Sequence, residues 1–278
     1  MRVMVWFGAA ALAAVLAVAS VAVFSQSGGG PGPAPDPREQ APGAQGQAPD
    51  PQGPAPRLAN GKPSFAGIWA TTRRADITRP LGNHPTGHVA ELPYTPWGKQ
   101  QWDGYDPVKN GDYAGTCLPF GFPRSVYGPH PTQIIHDETH VVFLFEQNTM
   151  FHIVPTDGRT FYPELPPSWF GESIGRWDGD TLVIETRNMN GYIKLDTAGH
   201  PLSSEATLTQ TFRRPSFGTV EHAMTIDDPK TYTKPFTITS TWPMEPWGTV
   251  IMEYSCMEGN LDNLITGTIS PWRPPADN

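Results

Sequence analysis

The chain has 278 residues, of which 17% are charged, with a formal net charge of -8 and no basic run. Phosphate recognition needs clustered Lys and Arg, so this charge pattern argues against a nucleic-acid partner. The 32 prolines and 28 glycines predict many turns and irregular segments, and the length allows one large domain or two small ones.

Residues 1–26 read as a signal peptide or N-terminal anchor. Arg2 supplies a short positive region, Val3 to Leu16 an apolar run, and Ala17-Val18-Ala19 a small-x-small cleavage site. The apolar character continues to Phe24, so an uncleaved anchor of about 20 residues is the alternative. Either way the chain is expected to be exported, periplasmic or extracellular, with membrane attachment only through this segment. Residues 27–62 follow as a disordered linker. From Ser27 to Arg57 they are rich in Gly, Pro, Ala and Gln and hold no large apolar side chain, so they cannot bury enough surface to fold.

Residues 63–278 form the expected domain, and their pattern is β. Strands are predicted at 66–73, 132–136, 140–147, 149–155, 170–177 and 181–187, then at 204–213, 219–226, 235–242 and 249–256. The alternation is clearest late in the chain. Ala206, Leu208 and Phe212 share a face with Gln210. Val220, Met224 and Ile226 share one with His222, and Phe236, Ile238 and Trp242 with Ser240. Val250, Met252, Tyr254 and Cys256 form a fourth such face. Asp178-Gly179, between Trp177 and Thr181, is a hairpin signal. About ten antiparallel strands joined by short turns predict an all-β, up-and-down barrel, because closure removes exposed edges. Residues 74–131 are rich in Pro, Gly and aromatics and are expected as a long irregular loop over one mouth, with one helical turn at 98–104.

Gly67-Ile68-Trp69 on the first strand looks like the lipocalin signature, in which the Trp plugs the closed end of the barrel. The chain also resembles a large group of exported bacterial proteins with lipocalin-like barrels. The resemblance rests on Thr95-Pro96-Trp97-Gly98, Cys117-Leu118-Pro119, the run Gly175 to Val183, Asp196 to His200, Thr225 to Pro229 and Met252 to Cys256. It implies a lipocalin-like fold and export, and no particular reaction. Two positions depart from the group's pattern: His152 stands where Arg is usual, and Gln210 where Glu is usual.

Cys117 and Cys256 are the only cysteines. In an exported chain an isolated pair is expected to be bridged. Gln210, His222, Ser240 and Tyr254 lie in phase with apolar faces, so in a barrel they would line one interior. With His152 they are candidate ligand-binding residues for a small apolar or aromatic molecule, or else a self-satisfied buried network. Asp196, His200 and Glu205, between two strands, are the candidate catalytic set, since a carboxylate beside a histidine fixes its tautomer and raises its basicity. They motivate the alternative of a cofactor-independent lyase, isomerase or hydrolase. The spacings of His84 and His88, and of His136, His140, Glu146 and His152, match no established metal motif, so no metal site and no cofactor is expected.

Overall fold

Nine of the ten predicted strands form. The computed structural model describes residues 48–80, 87–106 and 112–256; the expected signal segment lies outside them. In chain order the elements are β1 (Gly67–Trp69), α1 (Pro96–Asp103), α2 (Phe122–Ser125), β2 (Thr132–His136), β3 (His140–Phe145), β4 (Met150–Pro155), β5 (Glu172–Asp178), β6 (Thr181–Arg187), β7 (Thr207–Ser216), β8 (Thr219–Asp227) and β9 (Phe236–Pro243). They sort into two antiparallel sheets with sequential order, β1-β2-β3-β4 and β5-β6-β7-β8-β9. The fold is therefore mostly antiparallel β, as the alternation requires.

No closed barrel is detected among the described residues. Sequential strands pair antiparallel within each sheet, β1 and β2 across the long segment 70–131 and β6 and β7 across 188–206, whereas β4 and β5, separated by 156–171, fall in different sheets. The sheets meet through side chains. Phe143 of the first lies 5.5 Å from Phe212 of the second, ring to ring. Trp69, Phe65, Phe122, Leu182, Ile184 and Trp242 are also fully buried. The interior that the alternation makes apolar is thus filled by its own side chains.

The tenth strand, 249–256, does not form. Val250, Met252 and Tyr254 are 75%, 68% and 40% exposed. A strand needs an edge to pair with, and the outer edge of β9 is taken. Ala70 N donates to Pro243 O, and Thr239 N to Gly87 O. An isolated bridge pairs Trp69 with Met244.

Residues read as the end of the linker are held against the second sheet. Phe217 N donates to Gly53 O at 2.7 Å, and the Arg57 guanidinium binds both carboxylate oxygens of Asp180, at 3.0 and 2.6 Å. The excursion after β1 carries α1, longer than the single turn expected. Thr95 caps it, its Oγ1 accepting from Gly98 N at 3.0 Å. Gly98 is dictated by contact: a Cβ there would sit 2.1 Å from Thr231 O. No helix among the described residues is long and apolar enough to cross a membrane.

Cys117 and Cys256 form a disulfide with Cα atoms 5.5 Å apart, as expected. It ties 256 to the segment before α2.

Candidate functional site

The turn 195–200 brings Asp196 and His200 together. Asp196 is fully buried, and its Oδ2 lies 2.6 Å from His200 Nδ1. The same oxygen accepts from Ile77 N at 2.7 Å, and Oδ1 accepts from Gly199 N and His200 N. Four donors therefore fill the carboxylate's acceptor sites. Gly199, at φ +97°, is required here, because a Cβ would fall 1.9 Å from the Tyr105 ring. The His200 ring stacks on Trp102 of α1, with centroids 4.2 Å apart and planes 5° from parallel.

With Nδ1 donating to Asp196, the His200 Nε2 is the free ring nitrogen. It lies 3.9 Å from Asp76 Oδ1. Asp76, on the irregular segment after β1, takes the place expected for Glu205. Glu205 is exposed, and its backbone N–H donates to Ser203 Oγ. Nothing in the sequence brings Asp76 near His200; it lies far away in the chain and on a loop. Asp76, Asp196 and His200 are the one set of potential metal ligands within 4.8 Å of one another among the described residues. Asp196 has no acceptor capacity left for an ion, so the set reads as an acid–base or structural group rather than a metal cage. Of the histidines weighed for a metal, His84 lies outside the described residues. His136 Nδ1 accepts from Phe65 N, and Glu146 faces His130.

Gln210, His222 and Ser240 do meet, in one row across β7, β8 and β9. His222 lies between them, with Nε2 2.9 Å from Gln210 Oε1 and Nδ1 3.1 Å from Ser240 Oγ. Trp242 Nε1 donates to the same hydroxyl at 3.0 Å. Burial lowers the His222 pKa to about 3, so the imidazole is neutral. The Gln210 side-chain N–H has no partner. His152 is not part of this row. Its Nε2 lies 2.7 Å from Ser173 Oγ, which in turn bonds Thr186, and burial lowers its pKa to about 3. Tyr254 is not part of it either; its backbone bonds Thr149.

Two cavities open beside these groups. One, of about 400 Å³, is lined by Thr211, Thr239, Thr241, Arg213 and Glu221, with His222 and Ser240 also at its wall. The second, of about 330 Å³, lies among 73–75, the region around α2, Gln147, Asn148 and Tyr254. Arg74 borders both. Sequence reasoning found Tyr254, His222 and Ser240 but missed Tyr127, Asn148 and the arginines, which sit on irregular segments that no periodicity reads.

Comparison with protein-family models, with curated proteins and with solved structures finds no match to this chain.

Proposed function

We propose that the protein is an exported, lipocalin-like β-domain that binds a small molecule at the end of its sheets rather than between them. The single observation that carries the reading is the 330 Å³ cavity walled by Phe120, Tyr127 and Tyr254. Small-molecule sites are concave, partly aromatic and upward of about 300 Å³. The apolar or aromatic ligand expected for the interior is assigned to this cavity, because the interior itself is filled. The bridge between Trp69 and Met244 supports a barrel-like arrangement in which the end of β9 approaches β1. The disulfide and the apolar N-terminal run support export, since disulfides persist in oxidising compartments.

The test is native mass spectrometry of the full chain purified from its exported compartment. A reproducible extra mass below about 1 kDa, the size class such cavities hold, is expected. Bare protein in repeated preparations overturns the reading.

A second reading, an enzyme working by proton transfer, is favoured by the 2.6 Å contact that orients His200. Incubating the co-purified molecule with wild type and with His200→Ala tests it. Conversion by wild type alone supports catalysis, and equal recovery of the unchanged molecule from both overturns it.

A further inference from the structure

Given a small molecule in the 330 Å³ cavity, as proposed above, we propose that it is an organic anion: a carboxylate carried on a compact aromatic body. In a chain of net charge -8, three arginines, Arg73, Arg74 and Arg124, border this cavity, and among the described residues no Asp or Glu does. Arg124 is neutralised from outside the lining by Asp112, which it grips with two hydrogen bonds of 2.9 and 2.7 Å. Arg73 is exposed and forms no hydrogen bond or ion pair among the described residues. A guanidinium at a cavity rim is the group that grips a carboxylate bidentately.

Two further donors await a partner. Tyr127 is 3% exposed, lines the cavity, and its hydroxyl has no hydrogen-bond partner. Burial pushes the phenol's pKa up, so it remains an O–H donor. Asn148 lines the same cavity, and its side-chain N–H group is buried and unpartnered. Asn148 itself is held at φ 63°, a conformation that costs on the order of 1 kcal/mol and persists only where the surroundings impose it. An unpaired buried donor is costly, and an anion's oxygens would satisfy both. The Phe120 and Tyr254 rings supply a wall for an aromatic body. The volume also exceeds what an inorganic ion needs, because a site near 300 Å³ suits a drug-like molecule.

The full-length exported protein is titrated calorimetrically with benzoate, benzamide, benzylamine and inorganic phosphate. Benzoate binding, with benzamide and benzylamine at least about tenfold weaker, is expected, as charge-assisted bidentate contacts dictate. Arg73→Gln lowers benzoate affinity about tenfold while leaving benzamide unchanged, and Tyr127→Phe lowers benzoate affinity several-fold. Arg73 is exposed and the Tyr127 hydroxyl unpartnered, so both variants fold, which their melting curves verify. Benzamide binding as tightly as benzoate, or benzoate affinity untouched by Arg73→Gln, overturns the anion class. Phosphate displacing benzoate with higher affinity overturns the organic body. Absence of benzoate binding also overturns the proposal. A co-purified neutral molecule in the mass spectrum would leave the binding reading standing while this one fell.

Discussion

The second sheet and the segments that wrap it are held together in different ways. From β5 to β9 the strands pair along their lengths: seven Cα pairs join β5 to β6 and eight join β8 to β9. Those bonds are backbone to backbone and indifferent to side chains on the outer face. The segments 70–80, 87–106, 188–206 and 228–235 have no such ladder. Scattered backbone bonds and single side chains fasten them. Asp196 holds Ile77 and the 199–200 turn. Asp228 holds Ser203 through both its backbone and its hydroxyl. Arg214 spans Ser64 and Phe217 while its guanidinium lies 4.8 Å over the Trp69 ring. One substitution leaves a ladder standing, whereas it removes a fastening outright.

The largest effect is expected at the disulfide. It closes a separation of 139 residues, and the chain-entropy model gives about 5 kcal/mol for a loop of that length. Urea denaturation of the oxidised and reduced protein should differ by most of that amount. Equal midpoints would mean that the fastening does not constrain the unfolded chain. Next comes Asp196→Ala. It strands the Ile77, Gly199 and His200 donors in a buried setting, at a cost of roughly 3 to 5 kcal/mol. Asp196→Asn, which keeps two acceptor positions, should recover part of the loss. If it loses as much as alanine, the charge rather than the hydrogen bonds holds the turn.

The contrast between ladder and fastening also explains what the sequence made legible. Strand positions from β2 to β9 follow from alternation and turn residues, since a half-buried strand writes its register into every second residue. The row Gln210–His222–Ser240 was readable for the same reason: each sits in phase with apolar neighbours on adjacent strands. The segment 249–256 alternates equally well yet forms no strand, because pattern carries no information about whether an edge is free. Asp76 beside His200, and Arg73, Tyr127 and Asn148 at one cavity, were not legible. They lie on irregular chain, where position is set by long-range contact.

The histidines inside the ladders give a pH prediction. Burial lowers His152 and His222 to about 3 and His136 to about 4, whereas an unfolded histidine titrates near 6.5. Between those values the unfolded chain binds more protons, so stability falls as pH drops below about 6.5, until the folded residues also protonate near 3 to 4. Each histidine contributes about 1.4 kcal/mol per pH unit, or roughly 2 kcal/mol of loss at pH 5. Denaturation midpoints measured from pH 7.5 to 5 should slope accordingly, and His222→Gln should remove one histidine's share of the slope. A flat profile would show that water reaches these rings. A smaller loss, of about 1 kcal/mol, is expected for Thr95→Ala, which uncaps α1 and also breaks the 2.6 Å bond to Lys230 O. Its check is the melting temperature of the variant against wild type.

The smallest effect should come from the outer face of the ladder. Arg213 and Glu221 face each other across β7 and β8, with a hydrogen bond of 2.8 Å from Arg213 Nε and side chains 54% and 45% exposed. Exposed pairs of this kind contribute at most ~1 kcal/mol, because water screens the charges and two long side chains lose freedom. The neighbouring row Thr211, Ala223 and Thr239 adds no charge to be stranded. A double-mutant cycle of Arg213→Gln and Glu221→Gln should therefore give a coupling that fades with added salt. A coupling that survives high salt and approaches the Asp196 effect would erase the distinction drawn between ladder and fastening, since a sheet surface would then depend on single side chains as heavily as the loops do.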